Sequence, residues 1–111
     1  MSPLRASLVL AVPWTIMHLV LQLPGGVNEG AAVWPTVLSL FAYSVVLTWV
    51  FVGTGGSVLL SAFVHAGLNG VVPIMWGVDL ETSWAFRAVI AAVIALAIVL
   101  LGGFRQIADR T

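Results

Sequence analysis

Four long apolar runs, separated by short clusters of glycine, proline and charged residues, make up almost the whole chain. A helix needs about 20 apolar residues to cross a bilayer core about 30 Å thick, and each run comes close to that length. The pattern therefore predicts an all-α, polytopic membrane bundle of about four transmembrane helices. The first span runs from about Pro3 to Leu23, with Ser2 placed to cap it, Pro3 at its first position, and Pro24, Gly25 and Gly26 to stop it. The second runs from about Trp34 to Val52, and the cluster Gly53, Thr54, Gly55 and Gly56 ends it. Ser57 caps the third, which reaches to about Gly77, and Thr82 or Ser83 caps a fourth from about Ser83 to Gly103. No repeat, linker or low-complexity tail divides the chain, so residues 1–111 form a single membrane-embedded domain.

Polar residues inside those runs are the exceptions that carry information. His65 and Asn69 sit one helical turn apart in SVLLSAFVHAGLNGVVPIMW, so an imidazole and an amide share one face. Within hydrocarbon such groups need a partner or a cavity, which makes an ionisable residue there a functional candidate by default. Pro73 has no N–H to offer the carbonyl of Asn69 and leaves that acceptor free. His18, the second of two histidines, lies in the first span. At about 1.5 Å per residue, His65 is about 12 Å into its span, and His18 about 22 Å into its own if that helix enters the membrane at Leu4. The two depths become comparable if Ser2 to Ser7 is interfacial, as Arg5 and Ser7 suggest. Two imidazoles and an amide could then hold a water, a metal ion or a developing oxyanion.

Composition agrees with a membrane protein: of 111 residues, 61% are hydrophobic and 7% charged, and the mean hydropathy is +1.15. A soluble surface cannot be built from four arginines, four acids and no lysine. The net charge of zero and the lack of a basic cluster exclude nucleic acid as a partner. The absence of cysteine excludes a disulfide frame, a thiol nucleophile and a thiolate metal site. Arg5 before an apolar run imitates a signal peptide, but Pro13 and His18 interrupt that run and no small-x-small site follows. Arg5, Arg105 and Arg110 flank the ends while Glu29, Asp79 and Glu81 occupy the intervening loops, so the positive-inside rule puts both termini in the cytoplasm. Trp34, Trp76 and Trp84 then fall at the outer boundary and Trp49 near the inner one; Trp14, within the first span, does not fit.

Several features read as structure alone. The Gly53 to Ser57 loop lacks the lysine of a phosphate cradle and is a turn followed by a cap. Ala88, Ala91, Ala92 and Ala95 read as a helix-packing face, and the stripe Ala62, Ala66, Gly67 and Gly70 as a second one. Arg87 is expected to snorkel toward the outer surface near Asp79 and Glu81.

WTIMH (Trp14 to His18) resembles the aromatic-xxx-His motif, and HAGLN (His65 to Asn69) the His-xxx-Asn motif, of the CPBP intramembrane proteases. That group contains the CAAX prenyl endoproteases and Abi-like bacteriocin-processing or immunity proteins. SPLRASLVL and TGGSVLLSAFVHAGLNG are also similar to the family's text, and the resemblance covers its C-terminal half. It implies a helical membrane protease in which a glutamate of an EExxxR motif activates a water. By that resemblance His18 helps hold the water or a divalent metal such as zinc, with His65 a second metal ligand, while His65 and Asn69 support the oxyanion. The implied substrate is a peptide or prenylated peptide, and the implied setting a prokaryotic plasma membrane.

The resemblance also exposes a gap, because the EExxxR segment should precede Ser2. Glu29 and Glu81 fall in expected outer loops without the following arginine, and Asp79 and Asp109 at the membrane edges. Three explanations stay open: a fragment of a longer protease, a degenerate relative, or a half-site completed by a partner chain supplying the glutamate. The first is favoured, since Ser2 to Ser7 is similar to the middle of a family sequence. On this view the chain expressed alone shows no proteolysis. The competing functions are a non-catalytic membrane scaffold or partner module and, third, a bis-histidine haem subunit with a visible Soret band.

Overall fold

The computed structural model describes residues 2–26, 29–30, 32–76 and 80–105, without the side chains of 68–76 and 80–83. It contains α1 (Pro3–Val20), α2 (Val33–Gly53), α3 (Val58–Trp76) and α4 (Leu80–Leu100), joined in sequence by short connections, and no strand among the described residues. At about 1.5 Å per residue, helices of 18 to 21 residues are about 27 to 32 Å long, the thickness of a bilayer core. Among the described residues α1 and α2 are long and apolar enough to cross a membrane, and the described stretches Val58–Gly67 of α3 and Trp84–Leu100 of α4 are shorter apolar helices.

Helix ends follow from local chemistry. The Ser2 hydroxyl accepts from the Arg5 N–H at 3.3 Å with Pro3 in the first turn, and the Ser57 hydroxyl accepts from the Leu60 N–H at 3.2 Å. Gly55 (φ +72°) and Gly56 (φ +91°) take the left-handed conformations that turn the chain between α2 and α3. Two ends differ from expectation. α1 stops at Val20, because residues 21–23 switch to i→i−3 bonds from Leu21, Gln22 and Leu23 to the carbonyls of His18, Leu19 and Val20. α4 starts at Leu80 and not at Ser83: no glycine or proline stands between it and Gly77. It ends at Leu100, where Gly102 (φ +76°) turns the chain out.

α2 is the central helix and touches the other three, while α3 also meets α4. Tyr43, Ala42, Val45 and Val46 of α2 form the core with Ala91 and Ala95 of α4, and Trp14, Val64, Ala92 and Ile98 pack around it. Ala88 and Ala91 are wholly enclosed, as the alanine pattern of α4 led one to expect. The bundle buries small and polar residues, among them Ser7, Thr15, Thr36, Ser39 and Ser44, and exposes leucine, valine and isoleucine. Water would not tolerate so much continuous apolar surface; lipid does. The molecule is thus an all-α membrane helical bundle.

Interhelical polar contacts supply the specificity that apolar surfaces in lipid cannot. The buried Ser44 hydroxyl of α2 donates to the Ser7 carbonyl of α1 at 2.6 Å, and the Ser7 hydroxyl donates to the Leu4 carbonyl at 2.7 Å. The Gln22 amide donates to the Thr36 hydroxyl and pins the end of α1 to the start of α2. Ser44→Ala should cost about 1 kcal/mol, as measured by unfolding in mixed detergent, because interhelical hydrogen bonds in membranes are worth about 0.6 to 2 kcal/mol. A variant as stable as wild type would show that packing alone holds α1 to α2.

Two expectations are corrected. Arg87 does not snorkel to the surface: it is 5% exposed and lies over the Trp84 ring, 4.5 Å from its centroid. α4 begins early enough to place Arg87 two turns inside the bundle, where an aromatic face rather than water receives the guanidinium. Ala62 and Ala66 are exposed, and a Cβ at Gly67 would meet nothing within 4 Å, so at these three residues no described helix is drawn close; the surroundings of Gly70 lie outside the described residues.

Candidate active site

Trp14 organises the site, because its half-buried ring lies against both imidazoles. The His18 ring is edge-on to it at 5.9 Å between centroids and 78° between planes, and the His65 ring at 5.6 Å and 85°. Aromatic pairs favour this edge-to-face arrangement, which aligns positive ring edges with negative faces. The structure thus brings together the two histidines, which sequence spacing left at uncertain relative depth.

The level is set by the helices. Trp14 stands eleven residues after Pro3 in α1, and His65 seven after Val58 in α3. Their rings thus come together from the interior of both helices. The Asn69 side chain itself lies outside the described residues.

The two imidazoles are held differently. His18 is in the last turn of α1, and its Nδ1–H donates to the Trp14 carbonyl at 2.9 Å. A carbonyl can only accept, so the neutral ring carries its proton on Nδ1 and leaves a lone pair on Nε2. Such a nitrogen accepts a hydrogen bond from water or ligates a metal. His65 is half-buried and is placed by rings: Trp14 and, from α2, Tyr43, edge-on at 6.3 Å and 64°.

Sequence reasoning passed over Tyr43 and saw Trp14 only as part of a motif and as a tryptophan at the wrong depth. A usable signal for Tyr43 existed, since it is the single tyrosine and stands beside Ser44 in the middle of a span. Beside Trp14, an apolar cleft of about 420 Å³ opens between α1 and α2, lined by Leu10, Pro13, Met17, Leu47 and Thr48 among others.

The described residues do not complete a metal centre. Among them no group of three or more histidine, cysteine, aspartate or glutamate side chains comes together. A catalytic zinc takes three protein ligands, whereas His18 and His65 offer two nitrogens. Nor is a carboxylate placed at the imidazoles among the described residues: Glu29 accepts from the Gly25 N–H at 3.2 Å in the loop after α1. What the arrangement offers by itself is a pair of imidazoles, one with a defined tautomer, against an indole that also lines an apolar cleft.

A family model described as type II CAAX prenyl endopeptidase Rce1-like matches residues 1–71, a stretch that includes His18, His65 and Asn69. No curated protein and no solved structure gives a match.

Proposed function

The chain belongs to the Rce1-like family of type II CAAX prenyl endopeptidases, and from that membership we propose that it forms the imidazole half of an intramembrane endopeptidase site. The observation that carries the proposal is the meeting of His18 and His65 on one indole, with the His18 tautomer leaving Nε2 open. The substrate is a peptide with a prenylated cysteine near its C-terminus, the chemistry of the CAAX sequence. Its hydrocarbon chain has a matching environment in the apolar cleft beside Trp14.

The reaction is a hydrolysis. A carboxylate takes a proton from water while the water oxygen attacks the scissile carbonyl carbon, and the C–N bond then breaks as the proton passes to the departing amine. His18 Nε2 accepts a hydrogen bond from that water and orients it. His65, through a ring N–H, and Asn69, through its amide, donate to the oxygen that becomes negative. The carboxylate comes from outside the described residues, on a segment with an EExxxR motif carried by the same polypeptide or by a partner. A divalent ion such as zinc becomes feasible only if that segment adds a ligand. Arg5, Arg105 and Arg110 near the ends favour cytoplasmic termini in a prokaryotic plasma membrane.

The test is release of the C-terminal tripeptide from a prenylated peptide by vesicles containing the chain, alone and with a co-expressed EExxxR segment, read by mass spectrometry. Cleavage is expected only with the segment. No cleavage in either case removes the protease reading in favour of a non-catalytic membrane module, and cleavage by the chain alone removes the external carboxylate.

A further inference from the structure

The two imidazoles differ in a way that the reaction cannot ignore. His18 is tied by a hydrogen bond to the Trp14 carbonyl. The structure shows no hydrogen bond to the His65 ring among the described residues, and it records two ring contacts instead. The second torsion of a histidine is broad, so packing must choose its angle. A misplacement of about 1 Å at a reacting group can cost about 10²-fold in rate.

Tyr43 is suited to that choice. It is 1% exposed and lies in the most enclosed part of the bundle, among Ala42, Val46 and the α4 residues Ala91 and Ala95. Its ring is held by packing, because the hydroxyl is enclosed and has no hydrogen-bond partner among the described residues. Trp14, by contrast, is only half-buried and flanks an open cleft. The firmer of the two walls against His65 therefore belongs to α2. That helix touches the other three, so the angle of the imidazole is referred to the centre of the bundle.

We propose that Tyr43 is a positioning residue for His65, its ring edge fixing the rotation of the imidazole that faces the reacting carbonyl. The proposal rests on the protease reading for its consequence, but its physical content is independent of activity. The ring is the working part, and the hydroxyl is not. Tyr43→Phe should therefore preserve the effect, and Tyr43→Leu should abolish it.

The experiment uses the full 111-residue chain in micelles with isotope-labelled histidine, the His65 signals being assigned by loss of the others in His18→Gln. In wild type and Tyr43→Phe, the His65 ring protons should show the same ring-current-shifted, narrow resonances. In Tyr43→Leu those shifts should collapse toward the values of an unconstrained histidine. Tyr43→Met serves as a second non-aromatic variant if the leucine chain fails to fold by circular dichroism. In the complemented cleavage assay, kcat should fall about 10²-fold in the non-aromatic variant with KM nearly unchanged, and the phenylalanine variant should recover it. Unchanged His65 resonances in both non-aromatic variants would overturn the proposal, as would a phenylalanine variant that behaves like leucine. An NMR response without any cleavage supports the positioning and counts against the protease reading alone.

Discussion

His65→Ala should lower cleavage in the complemented assay by about 10²- to 10³-fold and destabilise the bundle by about 1 to 3 kcal/mol. The two halves of that expectation have separate causes. Removing one donor from a developing oxyanion costs about 10²- to 10³-fold. The stability cost goes no further because the ring is only half-buried and, among the described residues, leaves no orphaned hydrogen-bond partner behind. Most of its loss is edge contact with Trp14 and Tyr43, worth about 0.5 to 1.5 kcal/mol per pair. Comparison of kcat and KM with circular dichroism and detergent unfolding of the same preparation checks both halves. Equal cleavage by the variant would remove His65 from the reaction. His18→Ala provides the contrast: it removes the one imidazole with a defined free Nε2, so it should slow water attack while leaving the His65 contacts in place.

Ala91→Leu should destabilise the bundle by about 3 kcal/mol, the upper part of the range for overpacking an enclosed site. Ala91 is wholly enclosed between α4 and α2 and belongs to the cluster with Tyr43, Val45 and Val46. Three further carbons have no void to enter, so the helices must separate or the core side chains must leave their rotamers. Separation would also loosen Tyr43 and thus the wall behind His65. Val93→Leu on the outward face of the same helix, 62% exposed, is the control and should stay within about 0.5 kcal/mol of wild type. Detergent unfolding midpoints of the two variants decide the matter, and equal midpoints would mean that α2 and α4 do not pack through their alanines.

How far the chain could be read in advance depended on the kind of interaction. Apolar run length is local, and hydrocarbon thickness converts it directly into a helix, so α1 to α4 were legible to within a few residues. Where a helix stopped short, a local hydrogen-bond switch was responsible, as at Leu21 to Leu23. Ser2 and Ser57 were legible as caps because capping is settled within four residues. Arg87 was misread because snorkelling assumes a free path to water, whereas Trp84, one turn earlier in α4, receives the guanidinium inside the bundle. The stripe Ala62, Ala66 and Gly67 was misread because small residues permit close approach without requiring it.

By itself the amino-acid sequence determined an all-α membrane chain and the identity of its intramembrane imidazoles, because in hydrocarbon each polar side chain stands out against its neighbours. Its motif text was also enough to mark the family. Only the tertiary structure decided that His18 and His65 meet, and on which ring. That meeting depends on how far α1 is displaced along α3, and on the Ser44 to Ser7 bond and alanine face that seat α1 and α4 against α2. Such displacements are set by contacts between residues far apart in the chain, which no local pattern encodes. Tyr43 illustrates the difference: in the sequence it is one tyrosine in an apolar run, and in the bundle it is the wall against which His65 is set.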